Sequence, residues 1–145
     1  MQTQKFTTMA AKSFIGLSAI SLLAVSGMAF FSPQAVMDLV AVQLPNTDAF
    51  SSIRGVYGGV GLTLFISLIY LMRTNLPNGL AFLSLLWGFY ALSRLITVFT
   101  EGPLGNFGKQ WLCIESVFFI IAISLFTSLK KSNQSKTIAY YATGK

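Results

Sequence analysis

The sequence predicts an all-α integral membrane protein: a four-helix bundle with a short interfacial helix between the first two spanning helices. Three observations predict it. Of the 145 residues, 54% are hydrophobic and only 10% are charged, and mean hydropathy is +0.68, whereas a soluble domain carries about 25% charged residues. Four apolar runs, roughly Phe14–Phe31, Arg54–Met72, Gly79–Phe99 and Trp111–Leu129, each approach the about 20 residues that span a ~30 Å hydrocarbon layer as a helix. The runs are continuously apolar rather than alternating. Helices are therefore the reading, because a segment in lipid must satisfy its backbone polar groups internally. Four buried helices of a soluble protein would leave no polar faces to meet water.

The elements divide into a cytoplasmic N-terminal segment (1–13), the transmembrane domain (14–129) and a polar basic cytoplasmic tail (130–145). Lys5 and Lys12 precede the first run, which closes on "SGMA". That pattern fits a cleavable signal peptide as well as an anchor. A retained helix is favoured, because the apolar run continues past Ala29 through Phe30 and Phe31. In the first connection Ser32 can N-cap and Pro33 suits a first helical position. A short surface helix is expected there, carrying Ala35, Val36, Leu39, Val40 and Val42 and ended by Pro45. Asp48 or Ser51 can cap the second span. The short connection Arg73–Gly79 reads as a turn marked by Pro77 and Asn78–Gly79. The connection Thr100–Gln110 is longer and glycine-rich, and the tail "KKSNQSKTIAYYATGK" reads as polar and mobile. Lys5, Lys12, Arg73, Lys130, Lys131, Lys136 and Lys145 fall on one side of a four-span topology; Lys109, Asp38, Asp48 and Glu101 fall on the other. Both termini are therefore expected in the cytoplasm.

Composition removes several kinds of chemistry. Without histidine the chain lacks the usual general base, zinc ligand and pH switch. Cys113 is alone, so neither an intrachain disulfide nor a cysteine metal site can form. No metal and no cofactor is expected. The net charge of +6 does not point to nucleic acid, because the basic residues sit at the ends of apolar runs and not in one stripe.

Three charges lie inside the spans. Arg54 is near the start of the second, Arg94 near the end of the third and Glu115 near the start of the fourth. At about 1.5 Å per residue all three lie roughly 5–10 Å beneath the outer surface. An acid and two bases at one depth can offset the cost of immersing charge, about 2.5–3.5 kcal/mol each at mid-membrane. Glu101 shares a helix face with Arg94 and is expected to complete the cluster. Tyr57 and Tyr90 lie one turn from Arg54 and Arg94, with Thr97 one turn beyond Arg94, and can add hydroxyls. Arginines near helix ends also snorkel to headgroups with no further role. Glutamate has a shorter stem, so Glu115 calls for a partner. The cluster is thus either a structural network that fixes helix register or one that also binds a ligand or moves a proton.

Gly55 and Gly59 have the small-xxx-small spacing of close helix contacts, with Gly58 and Gly61 widening the groove and Ser84, Gly88 and Ala91 doing the same on the third span. A phosphate-cradling loop is the weaker reading of these glycines, since the spacing is not G-x-G-x-x-G. Trp111 suits an interface belt and Trp87 the interior. Cys113 reads as a small packing residue.

The stretches "SSIRGVYGGVGL" and "LSRLITVFTEGPL" and the glutamate of "CIESVF" resemble the bacterial membrane family catalogued as domain of unknown function 4345. More distantly they resemble the DoxX-like four-helix membrane proteins. The resemblance covers about Phe14 to Phe126 and makes Arg54, Tyr57, Gly58, Gly59, Arg94, Glu101, Gly102, Pro103 and Glu115 its signature positions here. It implies a four-helix bundle with a retained first helix, in a bacterial inner membrane, and no particular activity. Some DoxX-like proteins are associated with quinone-linked redox chemistry, but without paired cysteines or histidines that role does not carry over.

Three functional classes follow. The leading one is a non-enzymatic bundle whose polar cluster under the outer surface binds a lipid-like or quinone-like molecule, or serves an accessory subunit of a larger membrane complex. The second is a small oligomeric transporter or proton-coupled carrier, which a second deep acid would favour; the spans contain none. The third, an enzyme, lacks histidine, a nucleophile elbow and a metal cluster. The expected partners are membrane lipids, a hydrophobic small molecule and a homo-oligomer or larger complex, with no nucleic acid.

Overall fold

The computed structural model describes residues 2–142 and is helical almost throughout, with no strand among the described residues. Helix α1 (Gln2–Phe31) is followed by the short α2 (Pro33–Asp38). Helix α3 (Thr47–Ile53) passes through a π-helical turn (Arg54–Gly59) into α4 (Val60–Thr74); α5 (Leu76–Thr100) and α6 (Asn106–Ala142) complete the chain. Four stretches are long and apolar enough to cross a membrane: Gln4–Phe31, Thr47–Thr74, Leu76–Thr100 and Asn106–Lys131.

The chain forms two compact units. In one, the N-terminal part of α1, up to Phe14, joins α5 and α6; the other is Ile15–Thr74. In the first unit α5 and α6 run antiparallel. Trp87 meets Phe118 edge-on with centroids 5.1 Å apart, and Phe118 meets Phe14 at 5.4 Å. A Cβ on Gly88 would lie 3.1 Å from Phe119, so the missing side chain lets the two helices close. Leu80, Leu83, Ala91 and Ala122 fill the rest of this interior.

In the second unit, α1 meets the π-turn and α4. The sequence "RGVYGG" holds three glycines, which cost helical order and relax the sterics of an extra residue per turn. The Val60 amide reaches back to the Gly55 carbonyl, five residues away. That inserted residue rotates the face presented to α1. The close approach expected at Gly55 and Gly59 lies instead at Gly58 and Gly61. A Cβ on Gly58 would sit 3.1 Å from the Phe30 ring, and one on Gly61 3.0 Å from Ser26 Cβ, whereas Gly55 and Gly59 face nothing within 4 Å. The Ser26 hydroxyl, buried, donates to the Gly58 carbonyl at 2.6 Å.

Several boundaries differ from expectation. The second span begins at Thr47, capped by Asn46, whose side chain accepts from the Ala49 amide at 2.9 Å; Asp48 falls in the first turn and Ser51 inside the helix. Pro77, Asn78 and Gly79 belong to the opening turn of α5 and are not a turn of their own. Asn75 alone separates α4 from α5, and its side chain accepts from the Asn78 amide. The short helix α2 does have Pro33 in its first turn, but Ser32 makes no side-chain cap and the helix ends at Asp38, well before Pro45. Ala41 adopts a left-handed conformation (φ 56°), which breaks the helix earlier than proline does. Helix α6 continues past its apolar span into the polar tail as far as Ala142; Thr143–Lys145 lie outside the described residues.

The glycine geometry gives a paired expectation. Gly61→Val should lower thermal stability in detergent by about 1–3 kcal/mol, as overpacking does, while Gly59→Ala should be neutral or slightly stabilising. Equal melting temperatures for the two variants would show that the α1–α4 contact is not made through Gly61.

Candidate functional site

The polar centre of the first unit is built by α5 and α6. Glu115 is 2% exposed although it sits in a membrane-spanning stretch. Its carboxylate accepts two hydrogen bonds from Arg94: Nε to Oε2 at 2.6 Å and Nη2 to Oε1 at 2.9 Å. This is the side-on fork-to-fork geometry that guanidinium and carboxylate share, and charge assistance makes it stronger than a neutral pair. The two side chains of the pair are 23% and 3% exposed. Both carboxylate oxygens are thus satisfied by two nitrogens, while the Arg94 side chain as a whole keeps 23% of its surface exposed.

Helix geometry explains the meeting. The pairs Arg94–Glu115, Gly88–Phe119 and Trp87–Phe118 run in opposite senses along the two helices, as antiparallel neighbours must. The five-residue link Glu101–Gly105 closes this hairpin, with Gly102 at φ 109°, a conformation that glycine tolerates and L side chains resist.

The other expected site residues fall as follows. Arg54 belongs to the other unit, where its Nε donates to the Phe30 carbonyl at 3.1 Å. Its partner there is a carbonyl, one of the four that the end of a helix leaves without an internal donor. Tyr57 lies on the π-turn and is 41% exposed. Tyr90 stacks obliquely on Trp87 with centroids 6.0 Å apart. Glu101 follows the end of α5; its amide donates to the Thr97 carbonyl at 2.9 Å, and its carboxylate accepts from the neighbouring Thr100 hydroxyl. The structure therefore joins Arg94 to Glu115 directly, gives Arg54 the Phe30 carbonyl of α1 and gives Glu101 its neighbour Thr100.

On the same two helices runs an open groove of ≈ 440 Å³ lined by Ser84, Gly88, Ala91, Leu95, Ser116 and Phe119, among others; Arg94 and Glu115 are not part of its lining. Ala91 is one turn before Arg94, and Ser116 follows Glu115 directly. The groove is apolar apart from its serines, so it suits a hydrocarbon chain and not a hydrated solute.

Residues 10–126 match the family described as Domain of unknown function (DUF4345). The chain belongs to this family. No curated protein and no solved structure matches the chain. The match spans all of the Arg94–Glu115 site and all of the π-turn.

The fork geometry sets Arg94 apart from Arg54. Arg94→Lys replaces two donors in a fixed plane by one point charge. It should leave a Glu115 oxygen unpaired and cost about 1.5–3 kcal/mol, the range for a charge-assisted bond. Arg54→Lys, at an exposed side chain, should stay within about 0.5 kcal/mol. Thermal unfolding in detergent separates the two, and equal losses would contradict the assignment of Arg94 as the buried partner.

Proposed function

We propose that this chain is a non-catalytic binding protein of the bacterial inner membrane, with both termini in the cytoplasm. It takes up a lipid-like or quinone-like molecule beside Arg94, on its own or as an accessory subunit of a larger membrane complex. The observation that carries the reading is the asymmetric use of the guanidinium. Nε and Nη2 hold Glu115, while Nη1 makes no bond to that carboxylate and the side chain keeps 23% of its surface exposed. A donor edge anchored in this way offers hydrogen bonds to a headgroup or carbonyl oxygen without repositioning. The groove on the same two helices, lined by the neighbouring residues Ala91, Leu95 and Ser116, offers room for the apolar part of the same molecule. Amphipathic ligands are recognised in this manner, by a largely apolar cleft with a few fixed polar groups.

The orientation rests on the distribution of Lys and Arg, with Lys5, Lys12, Arg73 and the lysines of the tail on one side. Reporter fusions after Met72 and after Lys131 should give a cytoplasmic signal and a fusion near Asn106 an external one; a cytoplasmic signal at Asn106 would overturn the topology. For the ligand, the protein should be purified in mild detergent and its bound molecules analysed by mass spectrometry. The expected result is enrichment of one amphipathic species with an oxygen-bearing headgroup over its share of the bulk membrane. A bound pool identical to bulk lipid would contradict the binding role.

A further inference from the structure

The connection between α1 and α3 has more internal order than joining two helix ends requires. Ser32 alone separates α1 from α2, and the Ser32 amide donates back to Met28 at 2.8 Å. Helix α2 folds back onto the ends of its neighbours. Val36 and Met37, 5% and 8% exposed, pack with Ala29, and Leu44 and Ile53 pack against that cluster. Ala29 lies two residues inside the end of α1, about 3 Å along the axis. So α2 lies against the last turn of an apolar span instead of projecting away from it. Its apolar side chains Val36 and Met37 are occupied by the protein, which leaves them unavailable for the lipid contact expected of this helix.

The turn that follows is the opposite case. Leu39, Val40 and Val42 are 47%, 50% and 47% exposed, and Phe31, the last residue of α1, is 91% exposed. Yet the backbone that carries them is firmly held. The amides of Val40 and Val42 both donate to the Met37 carbonyl, at 3.0 and 3.1 Å. The Gln34 side chain clamps the turn from inside: its Nε2 donates to the Val42 carbonyl at 2.9 Å and to Asp38 at 2.7 Å, and its Oε1 accepts from the Leu44 amide at 3.0 Å. Gln43 adds a second donor to Asp38 at 3.3 Å. A clamped turn that displays three aliphatic side chains is an interaction surface and not a frayed loop.

We propose that the turn Leu39–Val42 is an interfacial anchor, seated in the headgroup–acyl boundary of the outer leaflet, with α2 as its pedestal. The contact with Ala29 sets it at the level where the α1 span ends, which is where that boundary lies. The chain has no Lys or Arg between Lys12 and Arg54. The attraction is therefore apolar, and the anchor works without anionic lipid. Asp38, the acid nearest the turn, is turned to Gln34 and Gln43. This inference does not depend on the ligand-binding reading.

The test uses the full chain with Cys113→Ala, carrying a nitroxide at Val40→Cys and, in a second protein, at Val42→Cys, reconstituted in phosphatidylcholine vesicles. Power saturation should show access to oxygen exceeding access to a water-soluble nickel chelate, at a depth of about 5–10 Å. Adding phosphatidylglycerol should leave that depth unchanged. Labels freely reached by nickel would overturn the proposal. So would labels shielded from both reagents, which would place the turn against protein, or a depth that appears only with anionic lipid.

Discussion

A carboxylate in hydrocarbon has two ways to exist: it finds a cation, or it takes up a proton. Glu115, 2% exposed in the fourth span, has the cation. The rest of its unit follows from that meeting. Because the fork of Arg94 accepts a carboxylate only side-on, the pair fixes both the rotation and the axial register of α5 against α6. With Arg94 opposite Glu115, the bare face of Gly88 comes opposite Phe119 and Trp87 comes opposite Phe118. A slip of one residue would bury an unpaired charge and press an aromatic ring into backbone at once. Removing one partner of such a pair typically costs about 3–5 kcal/mol, since the other stays buried alone.

The Ile15–Thr74 unit solves a related problem with neutral groups. Water is scarce around membrane-spanning helices, so the loose polar groups at helix ends and irregular turns need partners from the chain itself. The end of α1 exposes the Phe30 carbonyl, and Arg54 reaches it. The π-turn is accompanied by the bond from Ser26 to Gly58. The α2 turn leaves Val42 and Leu44 without helical partners, and one glutamine side chain serves both. In each case a polar side chain from another turn or helix partners a backbone group at a helix end or an irregular turn.

Much of this was legible in the sequence. Length and hydropathy of the four runs are one-dimensional properties, so the spans could be read directly. Counting from helix ends put Glu115 at one level with both Arg54 and Arg94, so Arg94 was among its candidate partners but was not singled out. The departures have a common origin in local geometry that counting does not register. The i, i+4 rule selects Gly55 and Gly59, but it presumes a regular α-helix, and the inserted residue of the π-turn moves the contact to Gly58 and Gly61. Asparagine caps at Asn46 and Asn75 were hidden among other capping residues, so two boundaries fell late. The role of Gln34 carried no sequence signal at all, since its partners lie as many as ten residues away in an irregular segment. Arg54 counted to the same level as Glu115, but level does not say which acceptor a side chain will find, and a helix-end carbonyl lay within reach.

The measurement that bears most directly on this account is a double-mutant cycle on Arg94→Gln and Glu115→Gln, read as unfolding free energy in detergent. If the two side chains form one buried unit, each single change is costly and the double change costs much less than their sum, with a coupling of about 2 kcal/mol or more. Additivity within about 0.5 kcal/mol, the behaviour of sites that share no partner, would contradict the account and leave the register of α5 against α6 to apolar packing alone.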